Sequence, residues 1–93
     1  MIPSSGKPAL AAKARLRFDR ETGGYLLLYP ERGLKLNPTA ASILKLCDGQ
    51  RTVDAIVGEL QKDYAGRPAS ELQKDVLEFL EEMERRGLLQ VPG

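Results

Sequence analysis

Near Asn37 the spacing of apolar positions along this chain changes, from every second residue to the helical repeat of about 3.6. Before that point, residues 15–19 (RLRFD), 25–30 (YLLLYP) and 33–37 (GLKLN) alternate apolar with polar, each bounded by Gly, Pro or Asn. This predicts a three-stranded antiparallel meander. Thr22-Gly23-Gly24 supplies flexible backbone for the first turn, and Pro30-Glu31-Arg32-Gly33 presets φ at Pro and frees it at Gly for the second. In the last strand Leu34 and Leu36 fall on one face and Lys35 on the other. A sheet this small needs a cover for its apolar face.

The cover follows in sequence, as three amphipathic helices. The first opens with Asn37 as N-cap and Pro38 at N1, carries Ala40, Ile43, Leu44 and Cys47 on one stripe, and is expected to stop at Gly49. In the second, Thr52 precedes the stripe Val53, Ile56, Val57, Leu60 and Tyr64, with Gly66 and Pro68 ending it. For the third, Ser70 and Gln73 read as a capping box ahead of Leu72, Val76, Phe79, Leu80 and Met83, and Gly87 ends the run. The apolar tail Leu88-Leu89-Gln90-Val91 is expected to add an extended piece against the core. The fold class is therefore α+β and winged-helix-like, a three-stranded N-terminal sheet followed by a three-helix bundle.

At 93 residues the chain has the length of one small domain. Its boundaries are expected at 14–91, with residues 1–13 as a flexible N-terminal arm. A composition of 42% apolar and 29% charged residues is ordinary for a globular protein, and no apolar run approaches the roughly 20 residues of a membrane span. The opening segment lacks the apolar centre of a secretory signal, so a cytoplasmic protein is expected. With one cysteine and no histidine, a disulfide framework, a Cys/His zinc site and a His-based triad are excluded within one chain.

Charge adds an asymmetry to this picture. Residues 1–36 carry seven Lys/Arg against three Asp/Glu, and residues 37–93 seven against ten, so the parts are about +4 and −3. The element order suggests a small DNA-binding or regulatory winged-helix module as one alternative, yet the segment ELQKDVLEFLEEMERR carries six acids against three bases. An acidic recognition helix would be repelled by a duplex. Enzyme chemistry fares no better, because no phosphate loop, metal-ligand cluster or nucleophile-base pair occurs at usable spacing. Glu78, Glu81, Glu82 and Glu84 read as the solvated side of an amphipathic helix rather than an acid/base pair.

A binding module remains. An open three-stranded meander leaves edge N–H and C=O groups unpaired, so an extended peptide can add there as a further strand while a neighbouring helix supplies side-chain specificity. On the third helix Leu77 lies off the buried stripe, with Asp75, Glu78 and Glu82 flanking the other side. Leu77 either lines a pocket or packs on Leu88-Leu89. Cys47, at helical spacing from Ile43 and Leu44 and with no His or second Cys, reads as a small core hydrophobe.

The order RLRFD, YLLLYPERGLKLN, PTAASILKLCDGQRTVDAIVGEL and DVLEFLEEMERRGLL closely resembles the PqqD family of pyrroloquinoline quinone (PQQ) biosynthesis, over about residues 14–90. The resemblance is most specific at Leu36-Asn37, Thr39-Ala40, Leu46-Cys47-Asp48-Gly49, Arg51-Thr52, Asp75-Val76 and Phe79-Leu80. It implies a peptide chaperone with no cofactor and no catalytic residue, which binds the ribosomal precursor peptide PqqA and presents it to the radical SAM enzyme PqqE. The implied fold is the winged-helix recognition element of ribosomal-peptide modification, where a leader segment pairs with the third strand and lies against the third helix. Carried onto this chain, the pairing strand is Gly33, Leu34, Lys35 and Leu36, with Arg32 and Lys35 attracting acidic peptide side chains. The helix wall is drawn from Asp75, Leu77, Glu78, Phe79 and Glu82. Some relatives are fused to the radical enzyme, whereas this chain ends at Gly93, so noncovalent docking is expected, through either the acidic helix or the basic strands. The same open edge, or a swap of the N-terminal strands, also offers a route to a homodimer.

Overall fold

The computed structural model describes residues 2–3, 5–30 and 32–91, so Glu31 of the second expected turn lies outside the described residues. In chain order the elements are β1 (Ala9–Leu10), β2 (Arg15–Asp19), β3 (Gly24–Tyr29), β4 (Arg32–Leu36), α1 (Pro38–Lys45), α2 (Val53–Asp63), α3 (Ala69–Arg85) and β5 (Leu89–Gln90). The expected α+β order is present, with β2, β3 and β4 forming one antiparallel sheet in that order.

The pairing register sorts this sheet into cross-strand rows. On the inner face Leu16–Leu27–Leu34 and Phe18–Tyr25–Leu36 lie side by side, while Arg17–Leu26–Lys35 and Arg15–Leu28–Gly33 make up the outer face. Leu27, at 0% exposure, marks the covered side. There α1 packs on β3 and β4, α2 packs on α1 and α3, and α3 also meets β5. The helical stripes bury Ile43 and Leu44, then Val53, Ile56, Val57 and Leu60, then Leu72, Val76, Leu80 and Met83, as their spacing predicts.

Helix ends show where local chemistry overrides pattern. Asn37 caps α1 as expected, its Oδ1 accepting the Ala40 N–H at 2.7 Å, and Thr52 Oγ1 accepts the Ala55 N–H at 3.1 Å to cap α2. The first helix, however, stops at Lys45 and not at Gly49. Its last carbonyls are taken by the Leu46 and Cys47 amides in tight three-residue steps to Ile43 and Leu44, both 3.1 Å. Gly49, at φ 79°, belongs instead to the following loop. The capping box at Ser70 is also corrected: α3 starts at Ala69, Pro68 is its boundary residue, and no side chain caps it. Pro68 explains the shift, because its ring fixes φ and disfavours helix in the residue before it, and its carbonyl accepts the Leu72 N–H at 3.1 Å. Ser70 thereby falls inside the first turn. At the other end Gly87 takes φ 75°, donating to Glu84 at 2.9 Å while Leu88 donates to Met83 at 3.0 Å, a Schellman closure.

The segment expected as a flexible arm over residues 1–13 is docked wherever it is described. Ile2 and Ala11 are only 4% and 6% exposed, and β1 pairs antiparallel with β5 through Ala9↔Gln90 and Leu10↔Leu89. The Gly6 and Pro8 carbonyls accept the Val53 and Gly49 amides, each at 3.0 Å. The reason is mutual need, since Val53 opens α2 with an amide that has no partner inside the helix. The arm supplies that partner and buries its own Ile2 in return.

Candidate functional site

The sheet order leaves β4 at an edge, where among the described residues no further strand pairs with its outward backbone groups. Of the five expected strand positions, Leu34 and Leu36 are half-buried on the inner face, packed against the core, while Arg32, Gly33 and Lys35 are exposed. Gly33 sits opposite Leu28, whose Cδ2 lies 3.4 Å from the place a Cβ would take, so the missing side chain leaves room for that leucine. The edge thus offers two chemistries: leucines facing the helices and a lysine facing solvent.

The five expected helix positions do not share one face. At ~100° per residue Leu77 and Phe79 point roughly 160° apart around α3. Leu77 is half-buried in a shallow stripe with Ser70, Gln73, Lys74, Glu78 and Glu81, whereas Asp75, Phe79, Glu82 and Arg86 occupy the opposite flank. At the C-terminal end of that second flank Arg86 lies within electrostatic reach of Tyr29 on β3, although its charge is held first by its hydrogen bond to Glu82. Phe79 is half-buried there against the core.

The acids of this flank are already engaged. Asp75 Oδ2 is 2.6 Å from Arg67 Nη2, and Glu82 bridges Arg85 at 2.7 Å and Arg86 at 2.8 Å. Those two arginines, Arg86 first, hold the Glu82 carboxyl below the usual carboxylate range. Among the described residues Glu78 makes no ion pair; it neighbours Asp75 and Glu82 on the helix and also borders the Leu77 stripe. Around α3, Asp75, Glu78, Phe79 and Glu82 fall within about 100° of one another, while Leu77 stands roughly 160° from Phe79. One feature escaped the sequence reading: Phe18 meets Tyr25 edge-on at 5.2 Å, and Lys45 Nζ sits 4.1 Å from the Tyr25 ring centre. Its members come from β2, β3 and α1, and only the alternation of Phe18 hinted at a shared face.

Cys47 is 5% exposed, its Sγ donating to the Ile43 carbonyl at 3.3 Å, and burial with the neighbouring Asp48 pushes its thiol up to about 12. Such a thiol is neutral and inert. Among the described residues no group of three His, Cys, Asp or Glu side chains could hold a metal ion, and no polar or charged side chain is buried.

Together these features define a winged-helix-like α+β domain whose open strand edge runs beside a helix, the geometry of a peptide-accepting recognition module. The chain belongs to the PqqD family: the family model for coenzyme PQQ synthesis protein D matches residues 24–89. Among its relatives, a PqqA binding protein of Rhodopseudomonas palustris is 38% identical over 88 residues, covering 95% of this chain and 85% of that one. A PqqA binding protein of Methylococcus capsulatus is 40% identical over 78 residues, covering 84% and 81%. The fold is similar to the solution NMR structure of the PqqD truncation of Methylobacterium extorquens PqqCD, a functional, stand-alone recognition element for ribosomally synthesised and modified peptides. That match has a TM-score of 0.81 at 32% identity, over 97% of this chain and 95% of the other. The crystal structure of PqqD from Xanthomonas campestris aligns with a TM-score of 0.58 at 31% identity, over 97% and 99%.

Proposed function

We propose that this protein is a peptide chaperone of PQQ biosynthesis, a binding protein and not an enzyme, that holds the precursor peptide PqqA as a fourth strand on β4 and presents it to the radical SAM enzyme PqqE in the cytoplasm. The observation that carries this reading is the open β4 edge with its Leu34 and Leu36 directed toward the helices. A strand added there continues the inner rows, so alternate peptide side chains meet Leu34, Leu36 and the Phe79 flank of α3. The side chains between them lie beside Lys35 and Gly33 on the outer face. Apolar residues suit the inner positions and acidic ones the outer. A second copy pairing on the same edge would form a homodimer and compete with peptide.

Calorimetric titration with the precursor peptide tests the reading. Saturable binding, lost by tenfold or more in a Leu34→Asp variant that keeps its circular dichroism spectrum, is expected; Leu34→Ala provides a milder change should the aspartate unfold the sheet. Absence of peptide binding by the wild type, with or without the enzyme, overturns it.

A further inference from the structure

The outer face of the sheet has no role in the strand-addition reading, and among the described residues no other element packs on it. The helices cover the side marked by Leu27, while Leu26 and Leu28 lie half-buried in the middle of the opposite side. Each heads a cross-strand row: Leu26 between Arg17 and Lys35, Leu28 between Arg15 and Gly33. Among the described residues none of the three cations makes an ion pair. Asp19 and Glu21 share a hollow with Arg17, Leu26 and Leu28 at one end of this face, yet among the described residues neither pairs with the three cations; Asp19 accepts the Glu21 amide at 3.1 Å and the Thr22 hydroxyl at 3.0 Å.

Resting on the strand-addition reading, we propose that this outer face is a docking surface for a partner protein that presents carboxylates around an apolar patch, and that a peptide added on β4 completes it. An apolar centre with a charged, arginine-rich rim has the anatomy of a protein interface. Nucleic acid fits poorly, because the centre of the face offers leucines where a duplex requires a continuous stripe of cations and donors. Size supports the second half of the proposal. Three strands about 4.8 Å apart and about 17 Å long present roughly 250 Å², well short of the ~800 Å² per partner of a stable interface. The docking is therefore weak without peptide. An added strand widens the same face and sends every second peptide side chain onto it, next to Lys35, so the partner touches carrier and cargo together.

The probe is purified PqqE, followed by the methyl signals of Leu26 and Leu28 and by calorimetry, with and without precursor peptide. Wild type is expected to show perturbation of both methyls, weakening with salt, and an affinity at least ~5-fold higher when peptide is bound. Arg15→Glu/Arg17→Glu is expected to weaken enzyme docking at least ~10-fold, as loss and reversal of two rim charges predicts, while peptide affinity stays within twofold. Should that variant lose its circular dichroism spectrum, Arg15→Gln/Arg17→Gln replaces it, with a smaller loss expected. Unchanged docking by the folded variant, no docking by the wild type, or perturbation of the two methyls only by duplex DNA, anionic vesicles or self-association overturns the proposal. A loss of peptide binding by the wild type itself registers separately, in the peptide titration.

Discussion

Cys47 shows how a side chain that draws attention in the sequence can be chemically silent. Its burial and its Asp48 neighbour raise the thiol from the ordinary value of 9.0 to about 12, so the folded protein holds that proton more tightly than the unfolded chain. The sign follows: the contribution to stability is complete below pH 9 and is lost as pH rises from about 9 toward about 12. Denaturant unfolding should therefore show wild type losing ~1.4 kcal/mol per pH unit above pH 9 relative to Cys47→Ala. Equal pH slopes for the two proteins would refute the burial. Cys47 was legible from the sequence as core because its spacing from Ile43 and Leu44 is short-range. The engagement of Asp75 by Arg67 and of Glu82 by both Arg85 and Arg86 was not, because spacing says which residues are near but not which rotamers they choose.

Strands and helices differ in how plainly the chain declares them. β2, β3, β4 and the buried stripes of α1, α2 and α3 were readable because each repeats its apolar period several times. The tail expected as an extended piece is β5, but its partner β1 was not readable: two residues from the opposite end of the chain, it shows no period and gains its meaning only from β5. The docked N-terminal segment predicts that deleting residues 1–8 lowers unfolding free energy by at least ~2 kcal/mol, from the burial of Ile2 and two backbone hydrogen bonds. A freely flexible arm would change it by less than ~0.5 kcal/mol. For the β4 edge, alternation of backbone direction makes a paired test possible. The amides of Lys35 and Leu36 point to opposite sides, so of Lys35→Pro and Leu36→Pro one removes a rung to β3 and destabilises the sheet. The other stays folded and weakens peptide binding about fivefold to tenfold, the worth of one main-chain hydrogen bond with its neighbours disturbed. If both variants stay folded and bind normally, the peptide does not add to β4.

Taken as a whole, the molecule divides its surface by charge and by backbone. The β4 edge turns Leu34 and Leu36 toward the core on which Phe79 of α3 also packs, while on the outer sheet face Arg15, Arg17 and Lys35 make no ion pair among the described residues. Leu77 and Phe79, roughly 160° apart around α3, cannot both face one added strand. The decisive measurement is amide chemical-shift mapping of this protein during titration with the precursor peptide. Strand addition predicts a contiguous track through Gly33, Leu34, Lys35 and Leu36, accompanied by the Asp75–Phe79–Glu82 flank of α3 and by slowed exchange of the outward-pointing β4 amides. A track along β2 or confined to the Leu77 flank, or no shift at saturating peptide, would contradict it.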